Sequence, residues 1–196
     1  MGISVRQLLF HVAQEGAFMV LAMNYKADNE YYTPEYAITP LLEFIRKGST
    51  VWCPFDTEQS NFVSLLKRHG CKVIATHIHS GYDFFYFRPR QHYDYIISNP
   101  PFSLKTEVLE RLFKIGKPFA MLLGMSGIFD GPRYNLFKQH DFEMLLFDKR
   151  ISFFKSYTDR KAINNPPFST GYITSQVLPR TMIFRELHKP PRRKCA

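Results

Sequence analysis

Short apolar runs alternate along the chain with longer stretches in which apolar residues recur every third or fourth position. The short runs predict buried strands, and the longer stretches predict amphipathic helices. Strands are predicted at 49–53, 72–76, 93–98, 118–123, 143–147, 171–174 and 181–184. Helices are predicted at 1–24, 34–48, 61–69, 106–113 and 133–139. This alternation predicts an α/β fold, with a mostly parallel seven-stranded sheet and helices on both faces.

Two proline-containing turns follow predicted strands. Pro54-Phe55-Asp56 follows the strand at 49–53, and Asn99-Pro100-Pro101-Phe102 follows the strand at 93–98. Ligand sites in open α/β sheets lie beyond the carboxyl ends of the strands. The two turns are therefore predicted to lie side by side, although they are far apart in sequence.

The Asn99-Pro100-Pro101-Phe102 turn has the groups needed to bind a planar amine. The Asn99 side-chain oxygen and the Pro100 carbonyl can accept two N–H hydrogens, and the proline rings hold both acceptors in place. A nucleobase amine held in this way localises its lone pair on nitrogen and becomes a better nucleophile. Phe102 offers a ring on which a flipped base can stack, which contributes about 1–3 kcal/mol.

Composition narrows the class of partner. The chain has 196 residues, and 45% hydrophobic and 16% aromatic content suffices for a packed core. The formal net charge of +9 favours nucleic acid as a partner, with a solvated basic surface as the alternative. Three cysteines and seven histidines without metal-ligand spacing predict no metal site and reduced thiols in a cytoplasmic protein. Because no apolar run reaches the ~20 residues of a membrane helix, no membrane association is expected.

The Asn99–Phe102 turn and three further segments resemble S-adenosylmethionine-dependent adenine-N6 DNA methyltransferases, most closely the small orphan enzymes of phages and prophages. Residues 30–34 resemble the Tyr-Thr-Pro element that contacts the methionine end of the cofactor, and residues 53–56 occupy the place of the first cofactor loop. Residues 81–85 resemble the acidic turn that holds the cofactor's adenine. The similarity spans roughly residues 24–185.

The resemblance implies a Rossmann-like class I methyltransferase fold with strand order 3-2-1-4-5-7-6 and a final reversed strand. It also implies S-adenosylmethionine as cofactor and catalysis by Asn99, Pro100, Pro101 and Phe102. The residues it assigns to the cofactor are Tyr32, Thr33, Pro34, Pro54, Phe55, Asp56, His77, Asp83 and Phe84.

Two departures from the family pattern concern the cofactor. The first loop has no Gly-x-Gly, and Asp56 is the candidate for contact with the cofactor's amino group. The second strand ends without the usual ribose-binding acid, and His77 is the substitute candidate. A second copy of the tetrapeptide, Asn165–Phe168, follows a polar segment and is expected to lie in a loop over the pocket.

The expected organisation is an N-terminal helical extension at 1–23, a methyltransferase domain at 24–187 and a disordered basic tail at 188–196, with Met23 as an alternative start. Because the chain leaves no room for a separate recognition domain, target recognition is expected from loops 124–140 and 148–170 or from a partner subunit. Whether the protein forms a homo-oligomer stays open. The alternatives to DNA adenine methylation are methylation of RNA adenine or of a protein glutamine amide, and a non-catalytic nucleic-acid-binding relic of the fold.

Overall fold

A computed structural model describes residues 32–154 and 168–190 of the chain, and these belong to one compact unit. The predicted helix at 1–24 and the alternative start at Met23 lie outside the described residues. So do residues 165–167 of the second tetrapeptide copy and residues 191–196 of the basic tail.

The described residues contain seven strands and four α-helices. The strands are β1 (Thr50–Cys53), β2 (Lys72–Ala75), β3 (Tyr95–Ser98), β4 (Phe119–Gly124), β5 (Glu143–Phe147), β6 (Thr170–Ser175) and β7 (Met182–Arg185). The helices are α1 (Glu35–Leu42), α2 (Asn61–His69), α3 (Lys105–Ile115) and α4 (Pro132–Gln139). The strands and helices predicted within the described residues are thus confirmed, with boundaries shifted by no more than about two residues, except in the first described helix.

Helix α1 differs from the prediction at both ends. Pro34, predicted as the first helical residue, instead occupies the N-cap position, and no side chain caps the helix. The helix ends at Leu42 instead of near Gly48. Pro40 lies inside it and has no N–H to continue the hydrogen-bond ladder. The chain after Pro40 tightens into i→i+3 bonds, such as Phe44 N–H to the Leu41 carbonyl at 3.0 Å.

Helices cover both faces of the sheet, as predicted. Alternate residues of each strand point to opposite faces, so Trp52 of β1 belongs to one core cluster while its neighbours Val51 and Cys53 belong to the other. Helices α1 and α2 pack on the Val51 side. Helices α3 and α4 pack on the Trp52 side.

The sheet has the order β2-β1-β3-β4-β6-β5-β7. Strand β6 runs antiparallel to both of its neighbours, β4 and β5, and the remaining strand pairs are parallel. This mostly parallel sheet of seven strands, with one reversed strand inserted near an edge, confirms the predicted Rossmann-like class I methyltransferase fold.

The predicted strand order is wrong at both edges. The predicted order puts the third strand outside β2, whereas β3 lies inside the sheet and pairs with β1 and β4. The described segment 76–94 before it forms no strand, and its Phe84 and Phe87 rings lie 5.6 and 6.4 Å from that of Trp52. The last strand, β7, instead extends the sheet beyond β5 and pairs with it in parallel, so the reversed strand is β6 rather than the final one.

Strand register brings the predicted site loops to one edge of the sheet. Cys53 at the end of β1 pairs with Ala75 at the end of β2. Trp52 pairs with Ile96, which places Ser98 of β3 just beyond the end of β1. The loops that follow β1, β2 and β3 therefore leave the sheet together at its carboxyl edge.

Candidate active site

The first loop and the Asn-Pro-Pro-Phe turn are joined directly through Ser98. Ser98 is the last residue of β3, is completely buried and directly precedes Asn99. Its hydroxyl accepts a hydrogen bond from the Phe55 N–H at 3.2 Å and donates one to the carboxylate of Asp56. The sequence prediction that these two turns lie side by side is confirmed.

Asp56 is the buried centre of the first loop. Its side chain accepts hydrogen bonds from the hydroxyls of Ser60 and Ser98, and only 6% of the residue is exposed. Ser60 is the N-cap of α2, where its hydroxyl also accepts a bond from the Phe62 N–H at 3.1 Å. Burial raises the pKa of Asp56 to about 6, although the two serine hydrogen bonds act in the opposite direction.

The end of β2 holds the first loop from its other side. The Asp56 N–H donates to the Thr76 carbonyl at 3.2 Å, and the Thr76 hydroxyl accepts the Trp52 indole N–H at 2.8 Å. His77 follows and is 7% exposed. Its Nδ1 accepts the His79 N–H at 3.2 Å, which defines the orientation of the ring at this edge.

The acidic turn lies next to the first loop. Phe84 is buried, and its ring centroid lies 4.9 Å from that of Phe55. One oxygen of Asp83 accepts the Phe85 N–H at 2.8 Å, while its Oδ2 is buried without a hydrogen-bond partner among residues 32–154 and 168–190. Burial raises the pKa of Asp83; the Phe85 hydrogen bond and the positive charge of Arg111 oppose this.

The Tyr-Thr-Pro element reaches the same region from the start of α1. The Thr33 carbonyl accepts a hydrogen bond at 2.8 Å from the Asn61 side chain, at the first residue of α2. The Thr33 hydroxyl is buried and has no hydrogen-bond partner within the described part of the chain. The Tyr32 N–H donates to the Phe154 carbonyl at 3.1 Å, and the Phe154 N–H donates to the Tyr32 carbonyl at 2.9 Å. Pro34 is buried.

Phe102 lies among aromatic rings. Its ring contacts Phe153 and Phe168 edge to face, with centroids 6.0 and 5.5 Å away. A Cβ at Gly124, the last residue of β4, would lie 3.4 Å from the Phe168 ring and 3.8 Å from the Phe102 ring. Phe168 ends the second Asn-Pro-Pro-Phe copy, so the two copies meet through their phenylalanine rings.

The structure thus gathers the predicted site residues along one edge of the sheet, connected by contacts from Thr33 through α2 and the first loop to Asn99. Sequence reasoning missed Ser60 and Ser98, which make the connection. The available signal for Ser60 was its position just before the apolar pattern of α2, which is typical of an N-cap. Ser98 had no signal beyond its place at the end of a strand.

Residues 32–154 and 168–190 offer neither a metal site nor a membrane-spanning helix. They contain no group of three or more His, Cys, Asp or Glu side chains arranged to hold a metal ion. None of the helices in this part of the chain has the length and apolar character needed to cross a membrane.

Comparison with known proteins gives distant structural similarities. No protein-family model matches the chain, and no curated protein matches it either. Among solved structures, a predicted O-methyltransferase from Agrobacterium tumefaciens is 10% identical, with coverage of 78% of this chain and 85% of the other and a TM-score of 0.46. The 23S rRNA methyltransferase ErmE is 11% identical, with coverage of 74% and 68% and a TM-score of 0.47.

A third similar structure is the methyltransferase subunit of a type I restriction-modification system from Streptococcus thermophilus. It is 12% identical, with a TM-score of 0.42, and the match covers 80% of this chain. The match spans about half of that subunit's length, 47%.

Proposed function

We propose that the protein transfers a methyl group from S-adenosylmethionine to the N6 amine of adenine in DNA. The observation that carries the proposal is the Ser98 link, which sets the Asn-Pro-Pro-Phe turn beside the first loop at the carboxyl edge of the sheet. Methyl transfer requires the donor and the acceptor amine to meet at one place. This edge offers an amine-binding turn and a cofactor loop in direct contact.

The Asn99-Pro100 pair supplies the two acceptors for the amine. Asn99 is partly exposed, whereas Pro100 and Pro101 are buried, so the backbone carrying the acceptors is held by the protein interior. The two oxygens take both hydrogens of the adenine amine and favour a pyramidal nitrogen with a localised lone pair. No strong general base is needed, because the methylated ammonium product is itself acidic.

The residues around the first loop fit S-adenosylmethionine, which supplies an electrophilic methyl group when bound. Asp83 Oδ2 and the Thr33 hydroxyl are buried and lack partners within the described residues. A buried polar group without a partner costs about 1–3 kcal/mol, which a ligand that pairs with it would recover. Asp83 would accept from the adenine amino group of the cofactor, and Thr33 would bind its methionine end. The proposed walls of the pocket are Tyr32, Pro34, Pro54, Phe55, His77 and Phe84.

DNA is proposed as the substrate because the chain carries a net positive charge and because the segment after β4 exposes aromatic rings. The net charge is +9 over the whole chain. Phe129 in the loop after β4 is 43% exposed and Tyr134 in the following helix α4 is 58% exposed, and such rings can contact bases or sugars. The Arg133 guanidinium donates to the Gly127 carbonyl and, at 3.0 Å, to the Ile128 carbonyl, so the loop has a defined shape.

The free thiols fit a cytoplasmic location for such an enzyme. Cys53 and Cys71 are buried, and neither forms a disulfide within the described part of the chain.

The test is incubation of the protein with radiolabelled S-adenosylmethionine and, separately, duplex DNA, single-stranded DNA, RNA or a glutamine-containing peptide. DNA digested to nucleosides is expected to give labelled N6-methyldeoxyadenosine. Label in RNA or in peptide glutamine would overturn DNA as the substrate but would still support methyl transfer to a planar amine. Calorimetry that detects no cofactor binding would instead favour the non-catalytic relic.

Replacement of Phe102 by alanine is expected to raise KM for DNA about ten- to a hundredfold, because about 1–3 kcal/mol of base stacking is lost. Steady-state kinetics with the labelled cofactor measure the change. Phe113→Ala is the matched control, since it removes another half-buried ring, packed 5.2 Å from Phe119 at the opposite edge of the sheet. Equal KM values for the Phe102 and Phe113 variants would exclude a stacking role.

A further inference from the structure

The first loop is held by a buried carboxylate instead of by glycines. Asp56 lies where the family resemblance places a glycine-rich loop, and its carboxylate accepts hydrogen bonds from Ser60 and Ser98. Ser60 starts α2, and Ser98 ends β3. One carboxylate therefore connects the helix after the first loop to the strand before the Asn-Pro-Pro-Phe turn.

Ser98 carries this connection to the catalytic turn. Its hydroxyl accepts a hydrogen bond from the Phe55 N–H at 3.2 Å and donates one to the Asp56 carboxylate, so both bonds are made to the first loop. Its backbone is fixed in the sheet, where Ser98 pairs with Met121 of β4. Asn99 follows directly, and its position relative to the first loop depends on this contact.

We propose that Asp56 and Ser98 are positioning residues that hold the Asn99-Pro100 acceptors in register with the cofactor loop, and that Asp56 is not itself a cofactor ligand. This inference rests on the proposed methyl transfer. Asp56 is only 6% exposed, and its side chain already serves two hydroxyl donors, which leaves little of it for a ligand. Reactions that depend on positioning lose about a hundredfold in rate for a displacement of about 1 Å.

The ligand role and the positioning role predict different kinetics. If Asp56 held the cofactor, its loss would weaken cofactor binding. As a positioning residue, its loss, or that of Ser98, lowers kcat and leaves the dissociation constant of the cofactor nearly unchanged.

The decisive variant is Ser98→Ala, which cuts the link without altering any charge. We expect kcat for DNA methylation to fall about ten- to a hundredfold, while the cofactor dissociation constant, measured by calorimetry, changes by less than about threefold. The matched control is Ser49→Ala. Ser49 is also buried, at 2% exposure, but its hydroxyl donates to the Arg46 carbonyl at 2.6 Å, before the start of β1. The control is expected to keep the wild-type kcat.

Amide hydrogen exchange tests the link without any activity. The Phe55 N–H donates to Ser98, so its exchange should accelerate about tenfold in Ser98→Ala, while the Leu122 amide in the centre of β4 stays protected. Asp56→Asn keeps the side-chain shape and is expected to accelerate exchange of the Phe55 amide in the same way. This variant replaces Ser98→Ala in the experiment if Ser98→Ala does not fold.

These readouts separate the inference from the proposed function. A wild-type protein that methylates nothing would refute the function, while the Phe55 exchange rates would still decide whether the link exists. Unchanged Phe55 exchange in both variants would overturn the inference. A tenfold increase in the cofactor dissociation constant of Asp56→Asn, together with an unchanged kcat, would also overturn it.

Discussion

Replacement of Asn99 by alanine is expected to reduce methyl transfer about a hundred- to a thousandfold, with cofactor binding nearly intact. Removal of one preorganised hydrogen-bonding group from an active site typically has an effect of this size on kcat. The variant loses one of the two oxygens that accept the hydrogens of the adenine amine, so the lone pair stays delocalised in the ring. Because Pro100 and Pro101 are buried and keep the backbone in place, the loss falls on chemistry rather than on folding.

The measurement combines single-turnover methyl transfer with calorimetry of cofactor binding. Asn99→Asp is the matched variant, since aspartate has a similar size and keeps side-chain oxygens as acceptors. We expect it to retain more activity than Asn99→Ala. If Asn99→Ala turned over at the wild-type rate, the role of the turn in activating the amine would be wrong.

The second large effect is a pH dependence of stability that comes from Asp56. Its pKa rises from the ordinary aspartate value of 3.8 to about 6 in the folded protein, because burial disfavours the charged carboxylate. Between about pH 4 and pH 6 the folded state binds more protons at this residue than the unfolded state, so the free energy of unfolding falls as pH rises. A shift of this size corresponds to about 3 kcal/mol. This contribution favours the folded state at pH 4 and is lost by pH 7.

Urea unfolding of wild type and of Asp56→Asn across this range isolates the effect. Asparagine does not titrate, so the stability of wild type relative to the variant is expected to fall by about 2 kcal/mol from pH 4 to pH 7. The buried neighbours Cys53 and Tyr172 stay neutral in this window, because burial raises the pKa of both. A difference that is flat with pH would contradict the buried, titrating carboxyl.

The same burial explains how the carboxylate can hold the loop. Above about pH 6, ionised Asp56 is acceptor-only and can take both serine hydroxyls. Hydrogen bonds to an ionised group are stronger than those between neutral groups, so they offset part of the desolvation cost. The first loop therefore gains a fixed geometry at some expense in stability, a trade common at functional sites.

Much of the fold followed from local sequence patterns. The helix at 61–69 and the strand at 143–147 have the predicted bounds. Their apolar periodicity is strong, and Gly70 ends the helix with a positive φ of 98°. The end of α1 was missed because the apolar pattern continues past Leu42, whereas Pro40 had already weakened the hydrogen-bond ladder.

The edges of the sheet were not predictable in the same way. The Phe84–Phe87 stretch is rich in aromatic residues typical of strands, but its rings pack on Trp52. Segment 182–185 reads as a strand, yet only the packed structure shows that it extends the sheet next to β5. Strand propensity is a property of a single segment, whereas the pairing of strands depends on which neighbouring strands are available in the folded sheet.

By itself, the sequence determined the succession of strands and helices, and it was enough to predict an amine-binding role for the Asn99–Phe102 turn. Periodicity and proline geometry act over a few residues, and they can be read without knowing the fold. The tertiary structure alone decided that Ser98 and Asp56 join two loops more than forty residues apart, and that Phe168 meets Phe102. Such contacts come from strand register and burial, which depend on the whole chain packing at once.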